Sequence, residues 1–193
     1  MKLPMESRRR AGGRTTLLLL SGALAIAGAP ALAQAQVCEA PASGNDFQKV
    51  PLITGLEQPM AFQEDPVDGK IYIIERTGAV KVFDPADTSI TTIHTFAVDT
   101  TREFGLLGLA LDPAFNSNRR LWVYYTLPNG GPIYTSQLSR LTLQSSPLDL
   151  VNEKVLFSIP HVEAFHVAGD LKFGPDGNLY LTTGANDFGP GDV

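Results

Sequence analysis

From about residue 50 onward, apolar positions come in short alternating runs separated by turn chemistry, and no stretch carries a helical period. Asp65-Pro66-Val67-Asp68-Gly69 reads as a turn, followed by a strand over 70–75. Thr77-Gly78 turns the chain again into a strand over 79–83, so the two read as a β-hairpin. The apolar run Leu106–Leu111 contains Gly108 and is ended by Asp112-Pro113. Residues 120–126 (Arg-Leu-Trp-Val-Tyr-Tyr-Thr) are strongly β-prone, and 136–143 alternate with Leu138, Leu141 and Leu143 apolar. A strand over 170–173, the turn Gly174-Pro175-Asp176-Gly177 and a strand over 178–182 complete the pattern. The fold class is all-β.

The pattern repeats. Three times a short apolar strand meets a proline-containing turn, and a tyrosine-bearing strand follows: Ala61-Phe62 to Tyr72, Leu109–Leu111 to Tyr124, and Leu171–Phe173 to Tyr180. The prolines Pro66, Pro113 and Pro175 stand 47 and 62 residues apart, a period that suits blades of a β-propeller, each an antiparallel four-stranded sheet. A β-sandwich with coincident turns is the competing architecture. Propellers close with about 4–8 blades, whereas this chain has room for about three, so a partial propeller is expected.

The first 35 residues change the charge picture. Arg8, Arg9, Arg10 and Arg14 precede an apolar run from Leu17 to Ala27, and small-residue exits follow at Ala31-Leu32-Ala33 and Ala33-Gln34-Ala35. This is the layout of a signal peptide over 1–35, and the apolar run is short of the roughly 20 residues needed to span a bilayer. The arginine run leaves the Sec and twin-arginine routes both open. Without the leader, 10 basic residues face 19 acidic ones, a balance that argues against nucleic acid or an anionic membrane as partner. Residues 36–49 are small and polar and read as a linker before a domain over 50–193. Cys38 is the only cysteine, so neither an intrachain disulfide nor a cysteine-built zinc site is available.

Three segments carry a family resemblance: Ile74-Glu75-Arg76-Thr77-Gly78-Ala79-Val80, Glu103-Phe104-Gly105-Leu106-Leu107-Gly108-Leu109-Ala110-Leu111-Asp112-Pro113-Ala114-Phe115, and His166-Val167-Ala168-Gly169-Asp170-Leu171-Lys172-Phe173-Gly174-Pro175-Asp176-Gly177-Asn178-Leu179-Tyr180. In this order they resemble the soluble PQQ-dependent sugar dehydrogenases of the glucose/sorbosone dehydrogenase type, over roughly residues 50–189. The resemblance implies a six-bladed propeller, exported to the periplasm or secreted. It implies an enzyme that oxidises the anomeric hydroxyl of aldoses with pyrroloquinoline quinone (PQQ) and calcium and passes electrons to an acceptor. It places the general base on His166, and imidazole suits that task because it ordinarily titrates near neutrality. The quinone-binding cations and most calcium ligands of the family fall beyond Val193, so no cofactor-binding or metal-ligating residue is assigned. A non-catalytic propeller that binds carbohydrate or protein is the alternative.

Thr183-Gly184-Ala185 departs from the family's T-G-D, whose aspartate helps to orient the histidine. Asn186 or Asp187 is the available substitute. Glu103 reads equally as a channel-mouth carboxylate or as an exposed loop residue. Gly105 and Gly108 permit close backbone approach, and Gly174–Gly177 is turn chemistry. His94 reads as a surface side chain in a Thr-rich run, and His161 has no specific role.

A partial ring leaves blade faces and strand edges uncovered. Residues 36–193 expressed alone are therefore expected to be poorly soluble or to assemble. Size-exclusion chromatography and thermal melting test this, and a monodisperse monomer with a cooperative melt would refute it.

Overall fold

The computed structural model describes residues 50–128 and 131–185. The leader over 1–35, the linker over 36–49, and Asn186 and Asp187 lie outside the described residues. Strands β1 (Pro59–Glu64), β2 (Ile71–Glu75), β3 (Ala79–Asp84) and β4 (Ser89–Thr95) form one antiparallel sheet in chain order. Strands β5 (Leu106–Leu111), β6 (Arg120–Thr126), β7 (Tyr134–Ser145) and β8 (Leu148–His161) form a second sheet of the same kind. A hairpin of β9 (Leu171–Phe173) and β10 (Leu179–Leu181) begins a third. The first strands of the sheets lie side by side, β1 next to β5 and β5 next to β9. Successive meanders with neighbouring first strands are the layout of propeller blades.

Strand alternation places a hydrophobic layer between each pair of blades. Tyr72 and Ile74 of β2 and Val80 and Val82 of β3 meet Leu121, Val123 and Tyr125 of β6 and Leu141 and Leu143 of β7. The other face of the second blade carries Tyr124 and Leu138, which pack with Val167 and Leu171 of the third. Strict alternation fails at β5, where the pairing register with β6 shifts between Leu106 and Gly108. The bulge puts Leu106 and Leu109 in the first layer and Leu107 and Ala110 in the second, so one short strand serves both.

Polar ties fix the first two blades together at both ends of the strands and at the rim. After β5 the chain forms a single helical turn, α1 (Phe115–Asn118), capped by Arg119 in the left-handed region (φ 54°). The Phe115 ring meets Tyr72 edge-on at 5.3 Å. The Arg119 guanidinium lies over Phe115 at 4.5 Å and within 3.9 Å of the fully buried Asp65 carboxylate. At the rim, His94 Nδ1 bonds Asp149 Oδ1 at 2.8 Å, joining β4 to β8 and holding the Asp149 carboxyl below its ordinary range. His94 is thus half-buried and bonded between blades, not simply a surface side chain.

Within the second blade the Tyr125 hydroxyl donates to Glu153 at 2.7 Å and accepts from Gln137 at 2.6 Å. Burial first, and then Glu153, push the phenol pKa well up.

Most expected strands are observed within a residue or two. The run over 148–161 is missing from the sequence reading, because β8 is an outer strand with long exposed stretches and two register shifts against β7. Burial imposes no clean alternation on it. The face of the first sheet turned away from the second forms an open apolar groove lined by Leu52, Leu56, Met60, Phe62 and Ile71, with Phe62 67% exposed.

Gly108 tests the tightness of the blade interface. A Cβ there would stand 2.1 Å from the Gly169 carbonyl oxygen. Gly108→Ala is expected to lower stability by about 1–3 kcal/mol. A denaturant melt of the variant reads this directly, and a change within experimental error would contradict the close approach.

Candidate functional site

The innermost strands β1, β5 and β9 all begin at the same end of the blades, and the segments leading into them surround a cleft of about 630 Å³. Its walls include Met60, Arg76, Arg102, Glu103, Asp170 and Thr182. The site is built from several segments: Met60 comes from β1, and the other named residues lie inside or beside the quoted motifs.

The glycines of those motifs bring the segments together. Gly105, with φ 151°, lies so close to Arg76 that a Cβ would meet its carbonyl oxygen at 2.4 Å, and Leu106 N–H donates to that same oxygen at 3.1 Å. Gly169 has φ 142°, and a Cβ there would come within 2.8 Å of Leu107 and 2.9 Å of Tyr124. Any side chain at these positions would push the segments apart.

Arg76 acts as a clasp. Its Nη1 donates to the carbonyl oxygens of Thr100, Arg102 and Phe104 at 2.9, 3.0 and 3.1 Å, while Nε donates to Gln58 Oε1 at 2.5 Å. The planar guanidinium suits this work because its donors diverge in a fixed fork. Arg76 lies in the first of the three motifs, and the sequence alone assigns it no role. The available signal was an arginine in a hairpin with no acidic partner in its own motif beyond Glu75. Glu75 is itself buried and bound to Lys81 Nζ at 2.7 Å.

His166, the expected base, lies on the segment entering β9. It is exposed and adjoins the cleft wall rather than forming part of it. The backbone around it is strained, with φ 53° at His166 and 47° at Ala168. Left-handed conformations cost non-glycine residues about 1–2 kcal/mol and persist where the surroundings over-determine them. Two contacts do so. The His166 N–H donates to Glu103 Oε2 at 2.6 Å. On the other side, Gly184 lies against the His166 carbonyl, where a Cβ would come within 1.5 Å of the oxygen, and Gly184 N–H donates to Val167 O at 3.1 Å. The Val167 side chain between the two strained residues is buried.

Glu103 is exposed and lines the cleft. Ala185 is exposed and offers no carboxylate. His161 is core, its ring 5.6 Å from Phe104 and its Nε2 3.5 Å from the Tyr124 hydroxyl. The Gly174–Gly177 turn lies at the far end of β9. There Asp176 accepts from Tyr180 Oη at 2.8 Å, the chief cause of its lowered pKa, in keeping with a structural turn.

Among the described residues no group of three or more His, Cys, Asp or Glu side chains could hold a metal ion. Two arginines reach the cleft, but Arg76 is engaged by carbonyls and the Arg102 guanidinium lies 4.3 Å over the Phe165 ring.

A family model described as Glucose / Sorbosone dehydrogenase matches residues 56–190. The chain is 31% identical over 161 residues to quinoprotein glucose dehydrogenase B of Acinetobacter calcoaceticus, covering 75% of this chain and 32% of that protein. It is 27% identical over 149 residues to human Hedgehog-interacting protein, covering 69% of this chain and 21% of that protein. Among solved structures, a glucose dehydrogenase-type oxidoreductase of Thermus thermophilus is 36% identical with a TM-score of 0.61, covering 69% of this chain and 39% of that one. The PQQ-bound aldose sugar dehydrogenase of Streptomyces coelicolor is 26% identical with a TM-score of 0.62, covering 70% of this chain and 40% of that one. The chain therefore spans well under half the length of each.

Arg76→Met should remove the clasp while keeping the side chain's bulk. Charged hydrogen bonds contribute about 1.5–3 kcal/mol each when their loss strands a partner. A net loss of about 2–3 kcal/mol is expected here, because water reaches part of the site. A chemical-denaturation curve superimposable on the parent's would show that the clasp contributes nothing.

Proposed function

The chain belongs to the glucose/sorbosone dehydrogenase family, and we propose that the whole protein is an exported quinoprotein-type sugar dehydrogenase. It oxidises the anomeric hydroxyl of aldoses, with hydride transfer to PQQ. The observation that carries the reading is His166, an exposed imidazole on a strained turn that is held from both sides at the edge of a cleft. Strain of this kind is characteristic of functional sites. A base that takes the hydroxyl proton must be held in place to act, and orientation is a large share of its effect.

The described residues do not by themselves fit PQQ or calcium. The two cleft arginines are already engaged, and no described cluster could hold an ion. What this chain contributes is the base, its support and one wall of the cleft. Asp170 on that wall is suited to accept hydrogen bonds from sugar hydroxyls. Export to the periplasm or beyond rests on the leader over 1–35. Among the described residues no helix is long and apolar enough to cross a membrane.

A second reading has its own support. Ala185 stands where the family's orienting aspartate is expected, and the chain is similar to Hedgehog-interacting protein. Both favour a propeller that binds a carbohydrate or a protein without chemistry.

The protein at its full encoded length, reconstituted with PQQ and calcium, should reduce a dye when given aldoses. His166→Ala should lower kcat by about 10²–10⁴-fold, the usual contribution of a general base. Failure of the parent protein to reduce dye while it binds sugar would favour the second reading. Equal activity in His166→Ala would remove the histidine from the mechanism.

A further inference from the structure

We infer that Glu103 is the positioning residue for His166 and acts through the main chain. The inference rests on His166 being the base. Glu103 bonds the segment entering β9 twice. Its backbone N–H donates to the Ala164 carbonyl at 3.2 Å, and its carboxylate accepts the His166 N–H at 2.6 Å. The first bond grips the segment at a buried residue, since Ala164 is 4% exposed. The second reaches the strained residue itself. A carboxylate accepting a backbone N–H makes a charge-assisted bond, stronger than one between neutral groups. It is suited to hold a non-glycine residue in the left-handed region against its preference.

The geometry also explains why Glu103 and not another residue does this. Glu103 precedes Gly105, whose close approach to Arg76 fixes the height of the segment entering β5. Arg76 Nη1 binds the carbonyls of Arg102 and Phe104, one on each side of Glu103. The glutamate backbone is thus pinned from the first blade while its side chain reaches the third. Gly184 closes the other side of the turn. His166 is therefore located by its peptide group. Glu103 also lines the cleft, so a direct bond to substrate is the rival role.

Two readouts separate these roles in the full-length protein. Hydrogen exchange at the His166 amide reports the bond without any need for activity. Steady-state kinetics with PQQ, calcium and aldose report its consequence. In Glu103→Ala the His166 amide should exchange at least about tenfold faster. Its kcat should fall by about 100-fold, with KM changed less than about threefold. Glu103→Gln keeps an oxygen that can accept the same N–H, so it should restore slow exchange and most of kcat. Unchanged exchange in Glu103→Ala, or a raised KM at unchanged kcat, would overturn the inference in favour of substrate contact. Should Glu103→Ala fail to fold, Glu103→Asp replaces it with the same expected and overturning results, because its carboxylate is withdrawn by one methylene. His166→Ala in the same assay tests the underlying reading separately. If it is fully active, the base is wrong, and the exchange measurement still decides whether Glu103 holds the turn.

Discussion

The close approach of β5 to its neighbours on both sides is the constraint on which the rest depends. As the first strand of the second blade it is flanked by β1 and by the start of β9. It must bury side chains toward both neighbours within six residues. The bulge at Leu107 solves the facing problem, and Gly105 and Gly108 solve the spacing problem. A propeller blade cannot bury two faces alone, so each interface has to be tight enough to exclude water yet leave the strand ends accessible. The glycines meet both demands. They bring peptide groups into contact where a side chain would have separated them, and the cleft opens just past the last of these contacts.

That arrangement determines how the site is made. No single blade holds the candidate residues: Arg76 comes from the first, Glu103 from the entry to the second, and His166 and Asp170 from the entry to the third. A site shared by three blades is only as well ordered as the interfaces between them. This gives the Arg76 clasp and the Arg119–Asp65 contact a functional meaning, although neither touches His166. They sit at opposite ends of β2 and resist rotation of the first blade against the second. The His94–Asp149 bond adds a third point at the rim.

Much of the fold was legible because burial writes itself into the sequence. Strands β2, β3, β5 and β6 are each packed on at least one face, and their apolar residues follow that packing. Strand β8 left no such record, because most of its side chains face solvent. The turn signals were reliable for a related reason. Asp65, Asp112 and Asp176 each accept a backbone N–H two residues on, at 3.0, 2.8 and 3.1 Å, a local bond that depends on little else in the molecule. The candidate site was only half legible. His166 was found through resemblance, and nothing in composition or spacing would have selected it over His94 or His161. Arg76 and the Glu103 contact were invisible because most of their partners are backbone atoms 24–63 residues away. A carbonyl or an N–H has no letter in the sequence.

This explains why the missing aspartate at position 185 is a weaker argument against catalysis than it looks from the sequence. A motif records which side chains are present, and Ala185 does remove one. It does not record how a backbone is held. His166 is fixed by its N–H on one side and by glycine contact at its carbonyl on the other, and together these constrain the peptide plane from which the imidazole projects. Holding the backbone limits the ring to a few rotamers. It does not select the tautomer, which is what a carboxylate bonded to the ring would add. On physical grounds, the backbone contacts that hold His166 do not depend on the side chain at 185.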